Sequence, residues 1–342
     1  MKKKIFLIAG GSGGHFFPAL SLYKSDEKKL FDYFFLVDDR VEKLAKNNSC
    51  KFENVLTPKF TGSIRQIITN FFGIILSIIK TMYLFIKTRP NLVIGFGGYT
   101  SIFPIVLAKI LGIKTLIHEQ NAILGKANRF LSKFGTIVAV TFKKTKFSPI
   151  NSKFTGIPIR KKINIKKTTK KKILLIVGGS QGATVFADVV PEILKFFDKK
   201  FKKEILIIQQ VRNEDYDKLK KRYEELGINC ILKKFFKNIY KKISISDVVM
   251  TRCGSSTLAE LQLFTKFAIL FPLPSSMDDH QKMNAKEFKK KNECLIVNEK
   301  NIDYSYIAKV LQNKFFEKKK LVNKNLKPYN NSLLDLIKKI VS

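Results

Sequence analysis

Four segments of this sequence combine glycines or polar side chains with a preceding apolar run. They are Gly10–His15, Gly95–Thr100, His118–Asn121 and Gly178–Gly182. Glycines let the backbone approach a ligand closely, and a helix that begins after such a turn offers unpaired N–H groups and the positive end of its dipole. The segments therefore indicate phosphate binding, although a tight strand-to-helix turn without a ligand would also explain any one of them.

The first loop does not fit the two best-known phosphate motifs. A dinucleotide-binding GxGxxG that begins at Gly11 needs a glycine where Phe16 stands, and the sequence contains no GK[ST] of a P-loop. By itself, the loop therefore does not distinguish a phosphate site from a tight strand-to-helix turn.

The histidines concentrate in polar segments of this kind. The chain has only three, His15, His118 and His280, and the pattern places none of them on a helix face. This favours functional use over burial in a core. Because an imidazole titrates near neutrality, His15 beside the first glycine loop is the predicted general base, with Glu119 as the alternative.

Another segment, Arg252–Glu260, follows an apolar run in the second half of the chain. The start of its helix could bind a diphosphate, while Glu260 accepts hydrogen bonds from ribose hydroxyls. The alternative is purely structural, since Thr257 and Glu260 have the spacing of a capping box. Downstream, Asp278–Asn284 follows two prolines and offers several more polar side chains.

The elements that would position these loops repeat once. Nine of twelve positions agree between the segments that start at Lys3 (KKIFLIAGGSGG) and at Lys171 (KKILLIVGGSQG), 168 residues apart. A short apolar run that ends in a glycine turn is typical of a buried parallel strand leading into a helix. The repeat therefore predicts two α/β domains that open in the same way.

Further apolar runs predict that each domain is built on a doubly wound parallel sheet. The predicted domains are 1–160 and 161–330, with Lys161–Lys172 as a basic linker and 331–342 as a closing helix. The predicted strands are Asp32–Val37, Leu92–Phe96 and Thr115–Ile117 in the first half, and Glu204–Ile208, Asp247–Met250 and Phe267–Phe271 in the second.

The segment Ile64–Ile86 is predicted to be a helix that is apolar over most of its circumference. Lys80 interrupts the apolar run, which argues against a helix that spans a bilayer. Two interpretations remain open: a helix that lies in a bilayer surface with basic flanks, and a helix buried on two sides.

Composition excludes some classes of protein and leaves others open. The apolar fraction of 45% excludes a disordered chain. The net charge of +37 favours polyanionic partners, but compositional bias explains it equally well. The four cysteines lack CxxC spacing, and the acidic pairs Asp38-Asp39 and Asp278-Asp279 do not form a DxD motif. No metal and no cofactor is therefore predicted.

Taken in order, these segments resemble the MurG family, the glycosyltransferases that complete the lipid-linked disaccharide of peptidoglycan, over nearly the whole chain. The matching motifs are GGSGGHFFPAL (Gly10–Leu20), GFGGYTS (Gly95–Ser101), HEQNAILGKANR (His118–Arg129), TGIPIR (Thr155–Arg160), GGSQGA (Gly178–Ala183), RCGSSTLAE (Arg252–Glu260) and DDHQKMNA (Asp278–Ala285). The resemblance implies a GT-B fold, with two Rossmann-like α/β domains facing a central cleft. It also implies an inverting transfer of N-acetylglucosamine from UDP-GlcNAc to lipid-linked N-acetylmuramyl pentapeptide. The partners would be these two substrates and the cytoplasmic face of the bacterial membrane, without nucleic acid.

The resemblance also assigns individual residues. Glu260 would hold the ribose, Gln281 would hold the transferred sugar with Asn284 as a further candidate, and the backbone of Phe236 would hold the uracil. The residues that match UDP-GlcNAc contacts are Ser12, Gly13, Gly14, Asn121, Arg160, Ser180, Phe236, Ser255, Ser256, Thr257, Leu258, Ala259, Glu260 and Gln281. Gly97, Gly98 and Tyr99 would border the diphosphate of the acceptor.

Two other classes of function remain as alternatives at this stage. One is an enzyme of the same fold with another acceptor, such as a diacylglycerol sugar transferase, or a UDP-sugar 2-epimerase. The other is a basic nucleic-acid-binding or membrane-binding protein without catalytic activity. The presence of His15, Glu260 and Gln281 argues against the second class.

Overall fold

The structure, a computed structural model, divides the chain into two compact units. It describes residues 2–55, 64–159, 167–179, 182–236, 239–264, 266–317 and 330–342. The first unit contains Met1–Arg160 and Pro328–Ser342, and the second contains Lys161–Lys327.

The first unit is built on a seven-stranded parallel sheet in the order β3-β2-β1-β4-β5-β6-β7. Its strands are β1 Lys3–Ile8, β2 Phe31–Val37, β3 Phe52–Asn54, β4 Leu92–Gly95, β5 Lys114–Glu119, β6 Ile137–Val140 and β7 Lys153–Phe154. Its helices up to β7 are α1 Gly13–Ser25, α2 Asp39–Asn47, α3 Ile64–Thr88, α4 Ile102–Ile110 and α5 Lys126–Ser132. The inner strands β1 and β4 are nearly continuous apolar runs because helices cover both faces of the sheet.

The second unit is built on a six-stranded parallel sheet in the order β10-β9-β8-β11-β12-β13. Its strands are β8 Lys172–Val177, β9 Ile205–Gln210, β10 Asn229–Lys233, β11 Val248–Arg252, β12 Phe267–Phe271 and β13 Cys294–Ile296. Its helices are α6 Val185–Lys195, α7 Lys199–Glu204, α8 Tyr216–Glu225, α9 Ile239–Ile245, α10 Ser255–Phe264, α11 His280–Lys289 and α12 Tyr304–Phe316.

The last helix, α13 Asn330–Val341, belongs to the first unit. Leu333, Leu334, Ile337 and Val341 are buried in the same core as α1 and β1. The C-terminal segment therefore completes the core of the unit in which the chain begins.

The predicted fold class, two Rossmann-like α/β domains of the GT-B type, is confirmed. The two repeated segments form β1 and β8, and each strand lies inside its sheet with the strand order reversing beside it. In both units the chain first builds outward on one side and then crosses to the other, at β4 in the first unit and at β11 in the second. Ligands of doubly wound sheets bind beyond the strand ends at this switch point.

The sequence did not predict five strands: β3, β6, β7, β10 and β13. Each has only two to five residues, and four of them, all but β6, lie at the edge of a sheet. Short edge strands carry little apolar pattern because one side faces no partner strand. The first half of the predicted linker Lys161–Lys172, residues 161–166, lies outside the described residues, and its last residue already belongs to β8.

Helix α3 has one packed face and one exposed apolar face over the part whose side chains are described. Thr81 and Phe85 are buried, and the helix packs against α4. On the opposite side the exposed large apolar side chains are Phe72, Ile75, Leu76, Ile79, Met82, Tyr83 and Ile86. This finding contradicts the interpretation that the helix is buried on two sides. Among the helices described, none is long and apolar enough to cross a membrane.

Candidate active site

The first glycine loop lies at the carboxyl end of β1 and leads directly into α1. Ser12 is extended (φ −160°) and exposed, and its hydroxyl makes no capping hydrogen bond. Gly11 has a φ of +84°, a conformation that glycine adopts without strain. Gly13 is buried while Gly14 is exposed, so the hydroxyl of Ser12 and the backbone of Gly14 are the accessible groups of this loop.

The carboxylate of Asp38, at the end of β2, holds this loop in place. Its Oδ2 accepts hydrogen bonds from the Gly11 backbone N–H at 2.8 Å and from the Thr100 hydroxyl at 3.0 Å, and it pairs with Arg40. Burial acts to raise the pKa of Asp38, but the hydrogen bonds and charge of Arg40, with those from Thr100 and Gly11, hold it below its usual range. Asp38 therefore links three loops at one edge of the sheet.

Two glycines after β4 allow the backbone to lie against the ring of His15. A Cβ atom on Gly97 would be 3.1 Å from His15 Cε1, and one on Gly98 would be 3.5 Å from His15 Nε2. Both residues have positive φ, +91° and +75°. A side chain at either position would therefore be strained and, at Gly97, would also press on the imidazole. Tyr99, which follows, is about half exposed.

A chain of polar groups continues from His15 into the core. His15 Nδ1 lies 3.2 Å from Gln120 Oε1, and Gln120 Nε2 lies 3.1 Å from His118 Nδ1 and 2.9 Å from the His118 carbonyl oxygen. His118 Nε2 lies 2.8 Å from the carbonyl oxygen of Gly156. Gln120 and His118 are buried, and burial lowers the pKa of His118 to about 4.

Glu119, the alternative candidate for the base, is fully engaged in hydrogen bonds. Its Oε1 accepts from the backbone and side-chain N–H groups of Asn121 at 3.0 and 3.1 Å. Its Oε2 accepts from the Gly125 backbone at 2.9 Å and from Asn128 Nδ2 at 2.8 Å. The carboxylate is buried and shapes the loop that carries Asn121.

The glycine loop of the second unit follows β8 in the same way. A Cβ atom on Gly178 would be 2.1 Å from the Ala183 backbone nitrogen, so only glycine fits there. Gly179 and Gly182 have φ values of +85° and +74°. The predicted site residues Ser180 and Arg160 lie outside the described residues.

Helix α10 begins at Ser255, directly after β11 and Gly254. Thr257 therefore lies within the helix, so the capping-box interpretation of Thr257 and Glu260 is wrong. Ser255 and Leu258 are buried, whereas Ser256, Thr257, Ala259 and Glu260 are half exposed. The Ser256 hydroxyl oxygen is buried and has no hydrogen-bond partner among the described residues, which leaves a donor free at the start of the helix.

Gln281 is fixed by its side-chain oxygen. Its Oε1 accepts hydrogen bonds from the backbone N–H groups of Cys253, at 3.0 Å, and Leu273, at 3.1 Å. Its amide nitrogen makes no hydrogen bond to the part of the chain that the structure describes, so it can donate to a ligand. Asn284, by contrast, is buried and its Nδ2 donates to the Cys253 carbonyl at 3.1 Å, which indicates a supporting role.

Two consecutive aspartates set the start of α11, which carries Gln281. Asp278 and Asp279 both adopt left-handed backbone conformations, with φ values of 52° and 54°. Such strain outside glycine is uncommon and concentrates at functional sites. Their left-handed conformations turn the backbone at the start of α11, after β12.

Phe236 is buried, which is compatible with the predicted use of its backbone, since the ring would not be available to a ligand. The cysteines are all free, and within the described ranges no three His, Cys, Asp or Glu side chains are grouped so that they could hold a metal ion.

Sequence reasoning missed three residues of these sites: Asp38, Gln120 and Arg212. Arg212 follows β9, and its Cγ would lie 3.3 Å from a Cβ atom on Gly182. Its Nε is buried without a partner in the described part of the chain. Their positions in the sequence could have identified them, because all three residues follow a strand at the carboxyl edge of a parallel sheet.

Comparison with known proteins matches these features. The N-terminal domain of glycosyltransferase family 28 matches residues 5–140, and the C-terminal domain of that family matches residues 173–340. A UDP-N-acetylglucosamine--N-acetylmuramyl-(pentapeptide) pyrophosphoryl-undecaprenol N-acetylglucosamine transferase of Rickettsia bellii is 37% identical, with 83% of each chain covered. The transferase of the same name from Bartonella bacilliformis is 32% identical and covers 91% of this chain and 85% of its own.

The chain belongs to the MurG family.

Solved structures agree with this MurG assignment at the level of the fold. MurG of Acinetobacter baumannii has a TM-score of 0.74 and 23% identity, with 99% of this chain and 100% of that chain covered. A glycosyltransferase of kitacinnamycin has a TM-score of 0.71 at 13% identity, with both chains fully covered. Apart from residues 160, 180 and 181, which lie outside the described ranges, the MurG motifs of this chain lie at strand ends or helix starts.

The buried His118 of this MurG-family protein makes its stability depend on pH. The unfolded state binds a proton near the ordinary histidine value of 6.5, whereas the folded state does so only near 4. The unfolded state therefore binds more protons in this window, and the free energy of unfolding falls as the pH falls. We expect a loss of about 2 kcal/mol between about pH 7.5 and pH 5.

Chemical denaturation at the two pH values measures this loss. A His118→Asn variant should have a smaller pH dependence, because it removes the titrating ring. A His280→Asn variant, which changes a histidine outside the core, should keep the full dependence. Equal pH dependence in the wild type and His118→Asn would contradict the prediction.

Proposed function

We propose that this protein transfers N-acetylglucosamine from UDP-GlcNAc to the 4-hydroxyl of lipid-linked N-acetylmuramyl pentapeptide, with inversion at the anomeric carbon. The observation that carries the proposal is the match to relatives named for this transfer over more than four fifths of the chain. The reaction adds the second sugar to the lipid-linked precursor of peptidoglycan. The two units divide the chemistry between them.

The second unit binds the UDP group. The unpaired hydroxyl of Ser256 and the backbone N–H groups of the first turn of α10 are directed at the leaving diphosphate. Ser180 and Arg160, which lie outside the described residues, are further candidates for contacts to UDP-GlcNAc. Glu260 accepts from the ribose hydroxyls, and the free amide nitrogen of Gln281 donates to the transferred sugar. Negative charge that develops on the diphosphate is stabilised by these donors.

The first unit binds the acceptor and supplies the base. The acceptor diphosphate lies along Gly97, Gly98 and Tyr99, and Ser12, Gly13, Gly14 and Asn121 contact the donor. The acceptor hydroxyl oxygen attacks C1 while the bond from C1 to the diphosphate oxygen breaks. The hydroxyl proton passes to His15, because Glu119 already accepts four hydrogen bonds in the core.

Two variants separate the roles of the units. His15→Ala should lower kcat by about a hundredfold or more and leave UDP affinity unchanged, since general base catalysis contributes about 10² to 10⁴. Glu260→Ala should raise the Kd of UDP about tenfold to a hundredfold, since a charged hydrogen bond is worth about 1.5–3 kcal/mol. Labelled UDP-GlcNAc with the lipid-linked muramyl pentapeptide measures turnover, and calorimetry measures UDP affinity.

Disaccharide product formed by His15→Ala at the wild-type rate would rule out His15 as the base. If the wild-type chain formed another product, or transferred the sugar only to a diacylglycerol, the proposed acceptor would be wrong.

We also propose that the exposed face of α3 rests on the cytoplasmic surface of the membrane, where the polyprenyl-linked acceptor is anchored. Its apolar side chains recur every three or four residues, so they form one stripe, and Phe72 and Leu76 are 62% and 66% exposed. Lys87 lies beside Tyr83 at the end of the stripe. On the adjacent helix α4, Ile110 is 74% exposed. An apolar stripe with basic neighbours fits an anionic bilayer surface.

Replacement of Leu76 and Ile79 by serine should weaken binding to anionic vesicles. Burial of one such side chain is worth about 1.5–3 kcal/mol, so the double variant should bind at least about a hundredfold more weakly. Phe196→Ser removes an apolar side chain of 56% exposure from the second unit and should not change binding. Vesicle co-sedimentation at fixed salt measures both, and equal binding of the two variants would contradict the proposal.

A further inference from the structure

The hydrogen-bond chain from Gly156 to His15 can be read without ambiguity, because it starts at a group that only accepts. The Gly156 carbonyl oxygen lies 2.8 Å from His118 Nε2, so that nitrogen must carry the proton. The neutral His118 ring then has a bare Nδ1, which can only accept. Burial keeps this ring neutral in its environment, with a pKa lowered to about 4.

The protonation of His118 fixes the orientation of the Gln120 side-chain amide. The same side-chain atom faces two acceptors, the His118 carbonyl oxygen at 2.9 Å and His118 Nδ1 at 3.1 Å. That atom must be the amide nitrogen, since it has two hydrogens and the amide oxygen has none. The amide oxygen therefore faces His15 Nδ1 at 3.2 Å, and it can only accept.

His15 Nδ1 must then be the protonated nitrogen of its ring. In the neutral imidazole the other nitrogen, Nε2, is left with a free lone pair. His15 Nε2 makes no hydrogen bond to the described residues and lies along the backbone of Gly98, where a Cβ atom would be 3.5 Å away. His15 as a whole is half exposed, and its Nδ1 edge is held by the buried Gln120.

We infer that Gln120 and His118 are positioning residues that hold the neutral His15 ring in its Nδ1–H tautomer, so that Nε2 is the atom that removes the proton from the acceptor hydroxyl. The tautomer follows from the geometry alone, and only the catalytic use of Nε2 rests on the function proposed above. Without these hydrogen bonds, the neutral His15 ring would populate both tautomers. In the Nε2–H tautomer, Nε2 could not accept the proton of the acceptor hydroxyl.

Nuclear magnetic resonance of ring nitrogens tests the tautomer directly, because the chain has only three histidines. Long-range proton–nitrogen correlation on the ligand-free full chain, labelled at histidine, shows which nitrogen carries the proton at about pH 8.5, where imidazoles are neutral. We expect a protonated Nδ1 for His15 and a protonated Nε2 for His118, with His118→Asn and His280→Asn used for assignment. A protonated Nε2 on His15 would overturn the inference, even in a fully active enzyme.

Two replacements of Gln120 test the catalytic consequence. Gln120→Met keeps the length of the side chain but removes its hydrogen bonds, so kcat should fall about tenfold to a hundredfold with an unchanged KM for UDP-GlcNAc. Gln120→Glu retains an acceptor for His15 Nδ1–H, so it should recover part of kcat and the Nδ1–H signature. In Gln120→Met the His118 signals should remain those of an Nε2–H ring, because the Gly156 carbonyl oxygen still accepts from Nε2.

A double variant separates positioning from general damage to the fold. If Gln120 acts through His15, Gln120→Met should lower kcat no further in a His15→Ala background. An equal loss in both backgrounds would overturn the positioning role. If His15→Ala alone turns over at the wild-type rate, the proposed base is wrong, while the tautomer assignment is still decided by the ring spectra.

Discussion

Unpaired peptide N–H groups at the starts of helices are the feature on which the rest of this structure depends. Parallel strands connected through helices bring the first turns of those helices to one edge of each sheet, and the first four N–H groups of a helix have no partner within it. In this chain α1 follows β1 and α10 follows β11, each at or beside the point where the strand order reverses. The repeated glycine turns let the backbone approach a ligand at these points, and this makes both sheets suited to anionic groups.

Steric room and buried hydrogen bonds then shape the same edge of the first sheet around the imidazole of His15. Gly97 and Gly98 leave space for the imidazole of His15. Asp38 fixes the glycine loop that precedes His15 by accepting a hydrogen bond from the Gly11 backbone N–H. Glu119 could have competed as a base, but its two oxygens already accept four hydrogen bonds and hold the loop of Asn121. The Glu119 carboxylate therefore organises a loop, whereas the His15 imidazole is half exposed at the same edge of the sheet.

Much of this arrangement could be predicted from the sequence because strong apolar runs and glycine turns are local signals. The strands β1, β2, β4 and β8, the helix α3 and the glycine loops all follow from such runs. Asp38 and Gln120 could not be assigned, since their partners, Gly11 and His15, lie 27 and 105 residues away. The capping-box spacing of Thr257 and Glu260 misled because it ignores where the helix begins. The two interpretations of α3, a helix in a bilayer surface and a helix buried on two sides, differ only in what packs against its second apolar face. The sequence of the helix does not encode that contact.

We propose that a uridine diphosphate is bound by peptide N–H groups and hydroxyls at helix starts, without a bridging cation. Titration calorimetry of UDP into the full chain in the presence of EDTA tests this claim most directly. We expect saturable binding of one UDP per chain, with an affinity that magnesium leaves nearly unchanged and that Ser256→Ala weakens. A folded protein that binds UDP only after a divalent cation is added would contradict it.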